Sequence, residues 1–217
     1  SGDFPDNSGG GMANHYSSSP TLINCTFTNN SAYRGGGMFN YESSSPELTD
    51  CTFTSNSAGF DGGGMVNEVS SSPTLADCTF EDNSADSGGG MFNYESSSPE
   101  LTDCTFTSNL AGFDGGGMYN ISSSSPDLTN CTFTSNSTDI SGGGMHNDNS
   151  SPTMTDCTFT SNTSQAGGGM FSDDSSSPTL ADCSVCDNEP DQINGVWSDA
   201  GGNCVATSCD DCEPPPL

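Results

Sequence analysis

Apolar side chains return to fixed places along this chain, and polar ones fill the ground between them. Met12, Met38, Met65, Met91, Met118, Met145 and Met170 each close a run of glycines. Cys25, Cys51, Cys78, Cys104, Cys131 and Cys157 each open a Cys-Thr-Phe run, and Cys183 opens a degenerate copy. A Ser-Ser-Pro turn recurs in phase at Pro20, Pro46, Pro73, Pro99, Pro126, Pro152 and Pro178, so the unit is 26–27 residues long. Within each short run the alternation has a period of two. Successive strand residues face opposite ways, which points Cys and Phe of C-T-F-T inward and both Thr outward. In the Gly-Met run, Met and the Asn two places on point inward, and the residue between them points out. Gly triplets, Pro and β-branched Thr recur too often for helix, and no helical period exists. The pattern predicts an all-β chain: a single-stranded parallel β-helix of about seven to eight coils, with three short strands per coil. Stacking like on like about 4.8 Å apart makes a rod roughly 40 Å long.

The same register predicts columns. Two are asparagine, one through Asn30, Asn56 and Asn83 to Asn188, the other through Asn14, Asn40 and Asn67 to Asn147. Asn tolerates a left-handed bend, and its amide can bond the amides above and below. An outward Thr face runs through Thr52, Thr54, Thr105, Thr107, Thr132, Thr134, Thr158 and Thr160, with Glu81 interrupting one column. Another outward column is apolar: Phe39, Val66, Phe92, Tyr119 and Phe171, with His146 in line and Tyr41 and Tyr94 beside it. Exposed along a rod, such a column is an assembly face. The first coil opens at Gly9 without a capping segment before it, which adds an unpaired β edge to that expectation.

Charge narrows the partners. One Arg and no Lys stand against 29 acidic residues, a formal charge of −28. Such a surface repels nucleic acid and anionic lipid. No long apolar run spans a membrane, and the chain, which lacks an initiator Met, reads as a mature product or an excised fragment. The residue before each repeat Cys includes Asp50, Asp77, Asp103 and Asp156. Each can serve as a bend residue, or the column can collect Ca²⁺ through oxygen ligands, the only cofactor the chain suggests. Exposed Ser runs, with Ser44, Ser97 and Ser124 among them, are candidates for O-glycans. Asn29, Asn149 and Asn162 head N-glycosylation sequons.

The Gly36-Gly37-Met38 and Phe53-Thr54-Ser55-Asn56 type runs resemble the paired G-G-A-I and F-x-x-N motifs of polymorphic outer-membrane proteins, which are right-handed parallel β-helices. The terminal stretch from Cys186 is similar to the last coil of secreted β-helix proteins of planctomycete type. The resemblance covers residues 8–188 and implies the fold and its handedness; function does not follow from it, because the fold serves lyases, adhesins and fibres. Three segments result: repeats over 1–188, a cysteine-rich terminal coil over 189–209, and a Pro-rich tail or linker over 210–217. Cys186, Cys204, Cys209 and Cys212 read as disulfide-bonded, with a zinc ribbon the alternative spacing. Lyases of this fold abstract a proton with a basic residue, and only Arg34 is available, so an enzyme is not expected. The expected role is an extracellular or cell-surface structural protein that associates with itself and carries glycans. A carbohydrate- or ice-binding module using the Thr face is the alternative, and a polysaccharide-active enzyme ranks third.

Overall fold

The computed structural model describes residues 7–212. Every strand pair in it is parallel and joins equivalent positions of successive coils, such as Met38 to Met65 and Phe39 to Val66. Three eight-stranded sheets result. One holds the Met strands, from Met12–Asn14 to Ile193–Asn194; a second holds the Leu strands, from Thr21–Ile23 to Ser198–Asp199; the third holds the Thr-Phe strands, from Thr26–Thr28 to Cys204–Ala206. The expected three strands per coil form these sheets, and over five coils a fourth, five-stranded sheet adds to them. The variable loop forms it, through Ser31–Arg34, Ser57–Asp61, Ser84–Ser87, Leu110–Asp114 and Ser137–Thr138. Ser31-Ala32, Ser57-Ala58 and Ser84-Ala85 open it in phase, but the residues after them change in type and number, so no alternating pattern announces a strand, while its backbone pairs coil to coil.

Met, Leu, Cys and Phe columns fill the interior, as in Met91, Leu101, Cys104 and Phe106, all at most 1 % exposed. The Phe rings stack from Phe27 to Phe159 at 4.6–4.7 Å between centroids and 2–5° between planes. Two glycine positions explain the Gly runs. Gly115 sits at φ 64°, a left-handed conformation open to Gly. A Cβ on Gly117 would lie 2.5 Å from the Gly144 carbonyl oxygen and 2.9 Å from the Phe133 ring, so only a bare backbone passes between them.

Both asparagine ladders form. Asn109 Nδ2 donates to Asn136 Oδ1 and to the Phe80 carbonyl, both at 2.9 Å, while its own Oδ1 accepts from the Asn83 amide and side chain. On the Met side, Asn40 donates to Asn67 at 2.8 Å, and the ladder ends on Ser172. Serine builds two more ladders, which correct the glycan assignment. Ser44, Ser97 and Ser124 are fully buried; the Ser97 amide donates to Ser124 Oγ at 3.1 Å, and each hydroxyl serves the coil before it. The second Ser of each pair runs the other way, Ser98 N to Ser72 Oγ at 2.9 Å. Among the described residues, Ser8 Oγ is the one buried side-chain oxygen or nitrogen without a partner, close satisfaction for so polar an interior.

At the C-terminal end, disulfides join Cys186 to Cys209 and Cys204 to Cys212, tying a short 3-10 turn at Cys209–Cys212 to the last strands. The tail placed over 210–217 therefore shares three residues with this stapled turn, and 213–217 lie outside the described residues. Cys25, Cys51, Cys78, Cys104, Cys131, Cys157 and Cys183 are free thiols. No helix among the described residues is long and apolar enough to cross a membrane.

Candidate functional site

Two surfaces and one enclosed layer carry the chemistry. The first surface is the Thr face. Strict pairing places Thr52, Thr105, Thr132 and Thr158 in one column and Thr54, Thr107, Thr134 and Thr160 in the next. All eight are half-exposed. The near-parallel Phe rings beneath them show that coils here stack almost without rotation, so the face is flat, whereas open sheets twist. Among these eight hydroxyls only that of Thr160 meets a protein group, the Cys209 sulfur at 3.5 Å. Glu81 stands in the second column, exposed.

The acidic bend column borders this face. Asp50, Asp77, Asp103 and Asp156 are exposed at φ 53–55°, the left-handed bend that short polar side chains tolerate. Asn130 Nδ2 donates to Asp103 across one step of the column. No group of three or more His, Cys, Asp or Glu side chains with metal-site geometry occurs among the described residues.

The enclosed layer lies between the Met sheet and the loop sheet, and it corrects the assembly face. Phe39, Val66, Phe92 and Tyr119 do point away from the Met core, but the loop strands cover them and they form a second apolar cluster. Phe171, near the end of that cover, is half-buried. Arg34 is not alone in its loop either. Its guanidinium meets Asp61 at 2.7 Å and Glu68 at 2.8 Å, all three largely shielded from water. Burial pushes the Asp61 carboxyl up to about 6 in spite of Arg34, and burial raises Glu68 as well. A carboxyl whose folded pKa is raised binds its proton more tightly when folded. Its contribution is present at low pH and is lost as pH rises through the folded value. Stability is therefore expected to fall between about pH 4 and 7, with Asp61 accounting for at most about 3 kcal/mol. Asp61→Asn should flatten that slope in urea titrations run across the window; an unchanged slope would assign it to general charge repulsion.

Further along the layer, Asp114, Ser141 and His146 meet. Ser141 Oγ donates to Asp114 Oδ1 at 2.6 Å, and His146 Nδ1 lies 3.1 Å from both. The residue types match a nucleophilic triad, but the geometry does not. A relay needs the hydroxyl and the carboxylate at opposite ring nitrogens, whereas here both crowd Nδ1. The His146 ring packs between Tyr119 and Phe171 at 4.7 and 4.8 Å. Burial raises the Asp114 carboxyl, but hydrogen bonds from His146 and Ser141 outweigh it and hold the group below its usual range.

The modification candidates divide. Asn29 and Asn149 are exposed at bends with φ 55° and 48°. Asn162 is corrected: it is fully buried, its amide bonded to Asn188 and to the Phe133 carbonyl, because its sequon coincides with a ladder position.

The repeats, the parallel register and the internal ladders together define a β-solenoid. The family model described as the right-handed beta helix region matches residues 2–133 and 110–210. The chain belongs to this right-handed β-helix family. No curated protein matches the chain, and no solved structure does.

Proposed function

We propose that this chain is a non-catalytic structural or surface module working outside the cytoplasm, able to associate with copies of itself and to carry glycans at Asn29 and Asn149. The observation supporting this reading is the commitment of the interior Asn and Ser columns to coil-to-coil ladders. The basic residue and one of the two adjacent carboxylates that catalysis would draw on are held in structural contacts. Arg34 is paired twice inside the loop layer, and Asp173 is bonded by Ser175, Ser176 and the Asn149 amide. Two disulfides fit an oxidising compartment. Purified chain incubated with pectate, alginate and neutral glucans is expected to release neither unsaturated uronide nor new reducing ends. Product release that disappears in Arg34→Ala or Asp173→Asn would replace this reading with a polysaccharide-active enzyme.

The flatness of the Thr face favours a second reading, a module that binds an ordered surface such as ice or a packed glycan. Hydroxyls repeat about 4.8 Å apart between coils and about 7 Å along each strand. On this reading the wild-type chain inhibits ice recrystallisation or sediments with crystalline cellulose, and Thr107→Tyr with Thr134→Tyr abolishes the effect. A wild-type chain that does neither discards it.

A further inference from the structure

The loop sheet turns large apolar side chains outward. Tyr33, Phe60, Phe113 and Ile140 are each 45–51 % exposed along its outer side. At Phe60 and Phe113 this exposure is built in by the backbone. Ala32 pairs with Ala58 and Arg34 with Asp61, so Gly59 is an extra residue, a β-bulge. Without it, alternation would send Phe60 inward beside Ala58; with it, Asp61 turns in toward Arg34 and Phe60 turns out. Gly112 repeats the device, leaving Asp114 inside and Phe113 outside. The intervening coil has no bulge and carries Asp86 at the matching place.

These residues make a notch. Tyr33 stacks on one face of Phe60, at 5.7 Å and 3°, so the opposite face is turned toward the coil of Asp86. Phe113 stands on the far side, two coils or roughly 10 Å from Phe60. Gly112 lies directly against Asp86, since a Cβ there would be 3.7 Å from Asp86 Oδ1, in ordinary contact. Asp86 is half-buried and is neither ion-paired nor hydrogen-bonded to another side chain. A half-exposed aromatic ring one coil to either side and a carboxylate between them suit a cation: ring quadrupoles attract one, as the Arg34 guanidinium carbon 6.0 Å from the Phe60 centroid illustrates, and guanidinium also stacks flat on rings.

We propose that the Phe60–Asp86–Phe113 notch docks an arginine side chain from a basic segment of another polypeptide. Charge selects that occupant. The chain's own single Arg is held inside the loop layer, and a surface of net charge −28 draws basic partners. Guanidinium fits better than ammonium because it is planar and more weakly hydrated.

Fluorescence anisotropy of labelled hexa-arginine, with full-length chain at about 0.15 M salt where long-range attraction is screened, tests this. Asp86→Asn, and separately Phe60→Ala with Phe113→Ala, are each expected to weaken binding about tenfold. Asp50→Asn removes the same charge from the exposed bend column and should leave binding within about twofold. Circular dichroism reports whether each variant keeps its fold, and Asp86→Asn keeps the rings in place if the double variant does not fold. Equal weakening by Asp50→Asn and Asp86→Asn would reduce the effect to net charge and overturn the proposal. So would absence of binding, or spermine binding as tightly with the same dependence on Asp86.

Discussion

Asn109→Leu is expected to destabilise the protein by about 3 kcal/mol or more, a large loss for a change of similar size. Four hydrogen bonds meet on this one side chain, and the Asn83 backbone amide loses its acceptor when the oxygen is removed. A buried N–H left unpaired costs roughly 1–3 kcal/mol, and the broken bonds above and below add to it. Because each amide orients the next, the damage should spread to neighbouring coils. Hydrogen exchange should show faster exchange at Asn83 and Asn136 as well. Asn149→Gly, which keeps the left-handed conformation open at this exposed bend, should stay within about 0.5 kcal/mol by urea denaturation. Equal effects at the two positions would mean that the ladder is not what holds the coils in register.

Phe106→Ala is the second large effect, expected at about 3–5 kcal/mol. Its ring is stacked at 4.7 Å on Phe80 and on Phe133, and both neighbours are fixed by their own backbone pairing. The site therefore cannot collapse into the cavity, which puts the cost at the high end of such substitutions. The next residue faces out, so Thr107→Ala should change the urea midpoint very little while removing one hydroxyl from the flat face.

Much of this architecture can be read from residue spacing. The Met, Leu, Cys and Phe columns and both Asn ladders follow from period-two alternation within a fixed repeat. Each is a place where the same side chain must meet itself one coil on. Two features could not be read so. Ser before Pro looks like a solvated turn, and only the structure shows Ser97 and Ser124 enclosed. A signal was present, since the two Ser next to Pro hold their phase in every coil from Ser18-Ser19 to Ser176-Ser177 while the rest of each Ser run varies. The loop sheet gave a shorter signal, the Ser-Ala that follows ladder residues Asn30, Asn56 and Asn83. Its strands share a backbone path and little sequence, so Phe39 and Val66 looked exposed when they lie beneath it. The bulges at Gly59 and Gly112 left a further trace, visible as the repeated Ala-Gly-Phe-Asp at 58–61 and 111–114.

The free and paired cysteines test the fold and the compartment in one measurement. The chain, isolated from the cells that make it without added reductant, is alkylated first as it stands and again after denaturation, then mapped by mass spectrometry. An exported β-helix should yield Cys186 joined to Cys209 and Cys204 to Cys212, in the envelope or medium fraction. The column from Cys51 to Cys183 should resist alkylation until the fold is opened, since these thiols are buried and burial raises the Cys51 pKa. Recovery of the chain from the cytosol with all eleven cysteines alkylated in the native state would contradict the account.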